Sequence, residues 1–168
     1  MLDQLLNLVK ENAGDTIINN PSIPNQHNDE AISLASSSIF DALKGQVSNG
    51  GIGNLIGMFS GGGTSIDSNQ LVSGLVSNLS GQYAQKFGIS PETANNVASS
   101  LITTVIGKFI NKTNDPSDSS FDLNNILGSL TGKGSSDIAG MIGQFTGNGQ
   151  SQTSGANNLG GIIGKLFG

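Results

Sequence analysis

Three stretches of this chain carry residue types that could do chemistry. The first is His27 with Asp29 and Glu30 close behind it. An imidazole and two carboxylates can hold a divalent metal when they converge. His27 is the only histidine, however, and the chain has no cysteine to complete a site. Asp29 and Glu30 suit the first turn of a helix, where carboxylates face unpaired N–H groups. No metal or cofactor is expected here. A Ser–His–acid triad is not legible either, because many serines are present and spacing singles out none. The second stretch holds Asp115, Asp118 and Asp122. A calcium loop needs alternating acids, a central glycine and a closing glutamate, and these are lacking. Asp122 reads as a helix cap and the other two as solvated linker acids. The third is Gly132-Lys133-Gly134-Ser135-Ser136. A phosphate loop would need glycine where Leu127 stands, Ser or Thr where Gly134 stands, and a preceding strand. Lys133 reads as a cation near a helix C-terminus. No catalytic residue is assigned, and the chain is expected to be non-enzymatic.

Composition narrows the partners. Charged residues make up 11% of the 168 residues, and the net charge is −5. The usual charged share is about a quarter, so Ser, Asn, Gln, Thr and Gly must carry much of the surface. All seven basic residues are lysines. Without arginine there is no bidentate grip on phosphate or guanine, so no nucleic-acid partner is expected. The opening MLDQLLNLVKEN reads as an amphipathic helix, not a secretory leader. No apolar run reaches the length that spans a bilayer, so an integral membrane protein is not expected.

The elements that would position these residues are helical throughout. The organising stretch is 89–110, ISPETANNVASSLITTVIGKFI. Ser90-Pro91-Glu92 is a helix start: a capping side chain, a proline at the first turn and an acid beside the dipole. Ala94, Val97, Ala98, Leu101, Ile102, Val105, Ile106, Phe109 and Ile110 then form one apolar stripe at helical spacing. Leu2, Leu5, Leu6 and Val9 mark a first helix ending near Gly14. The segment 19–28, with Pro21 and Pro24, is a loop. Asn28 or Asp29 can cap a second helix, with Ile32, Ala35, Ile39, Leu43 and Val47 on its face, stopping before Asn49-Gly50-Gly51. A short helix follows at 52–59. Another spans 70–87, with Val72, Leu75, Val76, Leu79 and Tyr83 on one side, and Gly88 ends it. The segment 111–120 reads as a polar linker. Three further short helices fit 123–130, 138–145 and 159–166.

Two internal repeats organise the pattern. Residues 122–134 (DLNNILGSLTGKG) and 137–149 (DIAGMIGQFTGNG) align without a gap. Residues 51–63 fit the same template, and 158–168 fit its first part. Each copy has a mid-helix glycine (Gly57, Gly128, Gly143, Gly164) and a glycine just past the end (Gly61, Gly132, Gly147, Gly168). The second is a helix stop. The first costs roughly 1 kcal/mol of helix propensity, so a close crossing or a tight bend is expected to offset it. A longer repeat lays 22–43 over 88–109. The expectation is an internal duplication, in two helix–long helix–short helix units at about 2–63 and 68–134.

Residues 50–109 resemble the YidB-like family of small bacterial helical proteins. The resemblance rests on Gly50-Gly51-Ile52-Gly53, the Gln70-Leu71 pair, the turn Lys86-Phe87-Gly88-Ile89 and the Ala/Ser-rich helix from Pro91 to Phe109. These motifs are structural. The resemblance implies an all-helical, cytoplasmic protein without assigned activity, and it carries no catalytic residue.

The expected fold is all-α and multihelical: about eight helices, two long core helices and several short glycine-terminated ones. The helical domain would cover 1–134, followed by a Gly/Ser/Asn-rich tail at 135–168 with two short amphipathic helices. The expected function is contact with a protein partner or self-association. Candidate partner-binding residues are the two surplus stripes of the tail: Ile138, Met141, Ile142 and Phe145, then Leu159, Ile162, Ile163 and Leu166. Carriage of a small apolar ligand is the competing class. The Gly-xxx-Gly spacings (Gly53, Gly57, Gly61; Gly143, Gly147; Gly160, Gly164, Gly168) leave association with a membrane surface open, although polybasic support is lacking.

Overall fold

The computed structural model of the chain describes residues 1–59, 70–118 and 121–132, together with 134, 137, 138, 140 and 143. The fold is all-helical. The described residues form six α-helices: α1 (Leu2–Asn12), α2 (Asn28–Ser48), α3 (Ile52–Phe59), α4 (Gln70–Phe87), α5 (Pro91–Thr113) and α6 (Leu123–Thr131). A π-helical turn (Gly14–Ile18) and a 3-10 turn (Asn25–His27) lie between α1 and α2.

Helices α1, α2, α4 and α5 form a closed ring in which each packs on two neighbours: α1 on α2, α2 on α4, α4 on α5, and α5 on α1. The two long helices, α2 and α5, occupy opposite corners. Apolar stripes from all four face inward and build one core. Along α5, Ala94, Val97, Ala98, Leu101, Ile102, Val105, Ile106 and Phe109 are all buried. At one end of the ring, α3 packs on α2 and α5, while α6 packs on α2. A smaller core joins these end pieces through Ile56, Leu127 and Ile138.

The local signals work where the chemistry is local. The Ser90 hydroxyl accepts a hydrogen bond from the Thr93 N–H at 3.1 Å, and Pro91 occupies the first turn of α5. An Asp122 carboxylate oxygen accepts from the N–H groups of Asn124 and Asn125. Gly88 and Gly132 leave their helices at φ +65° and +69°, a conformation that disfavours any side chain.

Several expectations are corrected. Neither Asn28 nor Asp29 caps α2, because the helix already includes them. His27 holds the cap position and makes no side-chain cap bond. The Asn28 amide turns back to Asn25 instead. The helix α5 continues to Thr113, three residues into the expected linker. There, the Asn114 side chain donates to the Phe59 carbonyl at 2.7 Å and ties the ends of α5 and α3 together. Phe121, just beyond the linker, is buried edge-on against Phe109. The first helix does end beside Gly14, as expected; beyond it a π-helical turn, unsignalled in the sequence, buries Ile17. Among the described residues the expected close crossing is also missing at two of the template's glycines: a Cβ built on Gly57 or Gly143 meets none of them within 4 Å.

The two glycine roles in the short template should therefore respond oppositely to alanine. Gly57→Ala should raise stability by up to about 1 kcal/mol, because it removes a helix-propensity cost and meets no neighbour. Gly132→Ala should lower stability by about 1–2 kcal/mol, because its positive φ penalises a Cβ. Urea midpoints measured side by side check both signs.

Candidate functional site

The acids and the histidine singled out in the sequence separate into local structural roles. Asp115 accepts from the Ser117 N–H at 2.9 Å and from its hydroxyl at 2.6 Å. Those hydrogen bonds hold its carboxyl below the usual range. Asp118 pairs with Lys112 at 3.1 Å, and Lys112 also sits over the Phe121 ring. Asp122 caps α6. The three therefore serve a turn, an ion pair and a cap. Among the described residues no group of three or more His, Asp or Glu side chains could hold a metal ion.

His27 and Glu30 belong to a clasp between α2 and α4. The Glu30 carboxylate takes the Lys86 ammonium on one oxygen and lies 3.5 Å from His27 Nδ1 on the other. The His27 ring leans on Phe87, with centroids 5.4 Å apart, and Phe87 leans on Tyr83. Below them, the Tyr83 hydroxyl donates to the Ala31 carbonyl at 2.8 Å in the core. Burial pushes the Tyr83 phenol well above its ordinary value, so it remains a donor. The hydrogen bond from Lys86, then its charge, holds Glu30 below the ordinary carboxyl range. These contacts fix α2 antiparallel to α4.

Two grooves border α2. On its α1 side, Leu2, Leu6 and Leu34 floor an apolar groove of about 400 Å³, with Asp3, Glu30 and Lys86 at the rim. Leu2 is 46% exposed. On its α4 side lies a larger groove, about 630 Å³, over a floor of Ala42, Leu71 and Leu75. Its α2 wall carries Ser37, Asp41, Gly45 and Asn49, and its α4 wall carries Gln70, Gly74, Asn78 and Gln82. Each wall is a row at i, i+4, i+8 and i+12, which keeps to one helix face. Gln82 joins the walls at one end, donating to Asn78 on its own helix and to Ser38 across the groove.

Of the eight candidate partner-binding residues, Ile138 is the one described. It is buried against Ile56 and Leu127, facing the chain's own small core. Met141, Ile142, Phe145, Leu159, Ile162, Ile163 and Leu166 lie outside the described residues, as do the glycine stops Gly61, Gly147 and Gly168. Sequence reasoning missed the small and polar rows that wall the groove between α2 and α4. Their four-residue spacing was visible, but which rows face each other is set by packing between helices distant in sequence.

No family model, curated protein or solved structure matches the chain. Among the described residues, no helix is long and apolar enough to cross a membrane.

The clasp yields two expectations. Glu30 has a lowered pKa in the folded state, so its contribution is complete above the ordinary carboxyl value and fades as pH falls through the lowered one. Stability lost between neutral pH and pH ~3 should be smaller in Glu30→Gln than in the native chain. Urea titrations at both pH values measure the difference. Tyr83→Phe removes the buried donor to Ala31 and should cost about 1 kcal/mol, with little dependence on pH in that range.

Proposed function

We propose that this chain is a non-enzymatic helical protein that acts by contact with a protein partner or with a second copy of itself. The observation that carries this reading is the pair of open grooves flanking α2, whose floors are the outer edges of the core and whose rims are polar. The side chains singled out above support it from the other side, since Asp115, Asp118, Asp122, His27 and Glu30 serve a turn, an ion pair, a cap and a surface clasp. The resemblance to the YidB-like family, whose members lack an assigned activity, points the same way. The tail stripes at Leu159, Ile162, Ile163 and Leu166 remain a second proposed contact face. Ile138, buried with Ile56 and Leu127, is left out of this proposed face.

One observation favours a second reading. The α1/α2 groove is lined by leucines, and about 400 Å³ is within the range of small-molecule pockets. It would suit carriage of a small apolar ligand.

The test compares the full chain, a chain ending at Gly143 and Leu34→Glu. Each is measured for mass in solution by light scattering and for proteins retained from a native lysate. The contact reading expects a mass above the monomer or a reproducible protein partner for the full chain. Loss on truncation at Gly143 assigns the contact to the tail, and loss in Leu34→Glu assigns it to the apolar groove. A monomer that retains no protein overturns the reading. If native mass spectrometry then shows a bound apolar molecule, the carrier reading takes its place.

A further inference from the structure

Helix α2 passes to α3 through three residues, Asn49-Gly50-Gly51. The Gly50 N–H donates to the Val47 carbonyl at 3.1 Å, and the Gly51 N–H donates to the Gln46 carbonyl at 2.7 Å. Gly50 has φ +78°. This is the glycine-closed helix end, in which two nested bonds return to the last turn. Asn49 occupies its C-cap. We infer that Asn49 is a site of spontaneous covalent modification: the Gly50 backbone nitrogen attacks its carboxamide, which becomes a carboxylate, and the isoaspartate product unlatches α3. The inference is independent of the contact reading above.

The chemistry needs only the chain and water. Once base removes the Gly50 N–H proton, the nitrogen attacks Asn49 Cγ. An N–Cγ bond forms, the Cγ–Nδ2 bond breaks, and ammonia leaves with a proton from solvent. The product is a five-membered succinimide. Water then adds to one of its two carbonyl carbons. Breaking the N–Cγ bond gives aspartate. Breaking the bond from the nitrogen to the Asn49 main-chain carbonyl carbon gives isoaspartate. In that second product the main chain runs through the former side chain and is one methylene longer. A side chain on the attacking residue would crowd the approach, and glycine has none.

Two features single out Asn49. It is followed by glycine, which holds for no other asparagine among the described residues; Asn148-Gly149 lies outside them. Its carboxamide is also exposed and makes no hydrogen bond among the described residues. Asn12, Asn20 and Asn114, by contrast, donate theirs to main-chain carbonyls. Attack requires the Gly50 nitrogen to leave Val47 and the Asn49 ψ to turn away from its folded value of 13°. The reaction therefore waits on fraying of the last turn of α2. Two hydrogen bonds of this kind slow it by about tenfold to a hundredfold relative to the unfolded chain.

The turn has no slack for a longer backbone. A Cβ placed on Gly51 would lie 2.6 Å from Gln46 Oε1 and 3.0 Å from the Gln46 carbonyl oxygen, so Gly51 is already pressed onto the last turn. An added methylene cannot keep both nested bonds. The new carboxylate also stands at the negative end of the α2 dipole, with no basic residue in the last turn to offset it. Displacing Gly51 releases the start of α3, where the Leu55 N–H donates to the Gly51 carbonyl. Helix α3 in turn seats Ile56 in the small core and Phe59 against Phe109.

The test incubates the full 168-residue chain at mildly alkaline pH, in native buffer and in guanidinium chloride. Tryptic peptides are mapped by mass spectrometry at intervals, and electron-transfer fragmentation separates aspartate from isoaspartate. Asn49 should gain one mass unit in native buffer, about tenfold to a hundredfold more slowly than in denaturant. Asn49→Gln, whose longer side chain must close a six-membered ring, should show no gain at this position. The isoaspartate form, separated by ion exchange, should unfold at a lower urea concentration than Asn49→Asp, which carries the charge without the extra methylene. An Asn49 still intact in native buffer after about a hundred half-times of the denatured reaction overturns the modification. An isoaspartate form with the same urea midpoint as Asn49→Asp overturns the unlatching of α3.

Discussion

The structure depends on removing the stripe of α5 from water. Eight of its residues, from Ala94 to Phe109, are buried. One neighbour cannot cover so wide a face, since a helix contacts a partner along a single ridge or groove. The answer is a closed ring, with α4 and α1 on either side of α5 and α2 across from it. The turns follow from that demand. Gly88 reverses the chain tightly enough to lay α4 beside α5, and the Tyr83–Ala31 hydrogen bond holds α4 against α2. Two aromatic contacts close the far end, where Phe109 meets Phe59 and Phe121 edge-on.

The burial pattern also runs in parallel along the two halves of the chain. When 22–43 is laid over 88–109, the pairs Ala31/Val97, Ile32/Ala98, Ala35/Leu101, Ser36/Ile102, Ile39/Val105 and Leu43/Phe109 are buried in both copies. In the short template, Leu55/Ile126, Ile56/Leu127 and Phe59/Leu130 behave alike. The contacts are reciprocal too. α1 packs on α2 and α5, and α4 packs on α5 and α2. Ile56 and Leu127, at the same template position, meet each other in the small core. Such self-meeting of equivalent positions is what a two-fold relation between the two expected units would produce. One exchange marks where the copies differ. Ser36 stands where the other half has Ile102, and its buried hydroxyl is satisfied by donating to the Ile32 carbonyl.

How much of this was readable beforehand depends on the range of the interaction involved. Caps and stops such as Ser90, Asp122, Gly88 and Gly132 are decided within a few residues, and those expectations hold. The bounds of α3 and α4 follow from apolar spacing for the same reason. The start of α2 did not follow, because His27 is held from outside by Phe87 on α4. The end of α5 runs beyond the apolar stripe, and Asn114 just past it finds a partner at Phe59, far away in sequence. Phe121 gives no sequence signal for a related reason: a single aromatic after a polar run has no periodicity, and its place is set by Phe109 and Lys112 on α5. The candidate groove follows the same logic. Ser37, Asp41, Gly45 and Asn49 could be counted off the page, but only the Tyr83 and Lys86 contacts set them against the row on α4.

The scarcity of charge gives the surface a particular kind of selectivity. An amide is neutral across the physiological range, and its hydrogen bonds are screened little by salt, unlike pairs of exposed ions. A groove lined largely by Asn, Gln and Ser therefore presents hydrogen-bonding groups more than charge. Such a surface gains modestly per contact, because each carboxamide gives up water to meet its partner. It becomes selective only when several contacts form in register. Register requires the two walls to be held at a fixed separation. That separation is set beneath the groove by Leu75 and Leu79, packed in the same core that α5 organises. The demand that shapes the interior thus also spaces the rows at the surface.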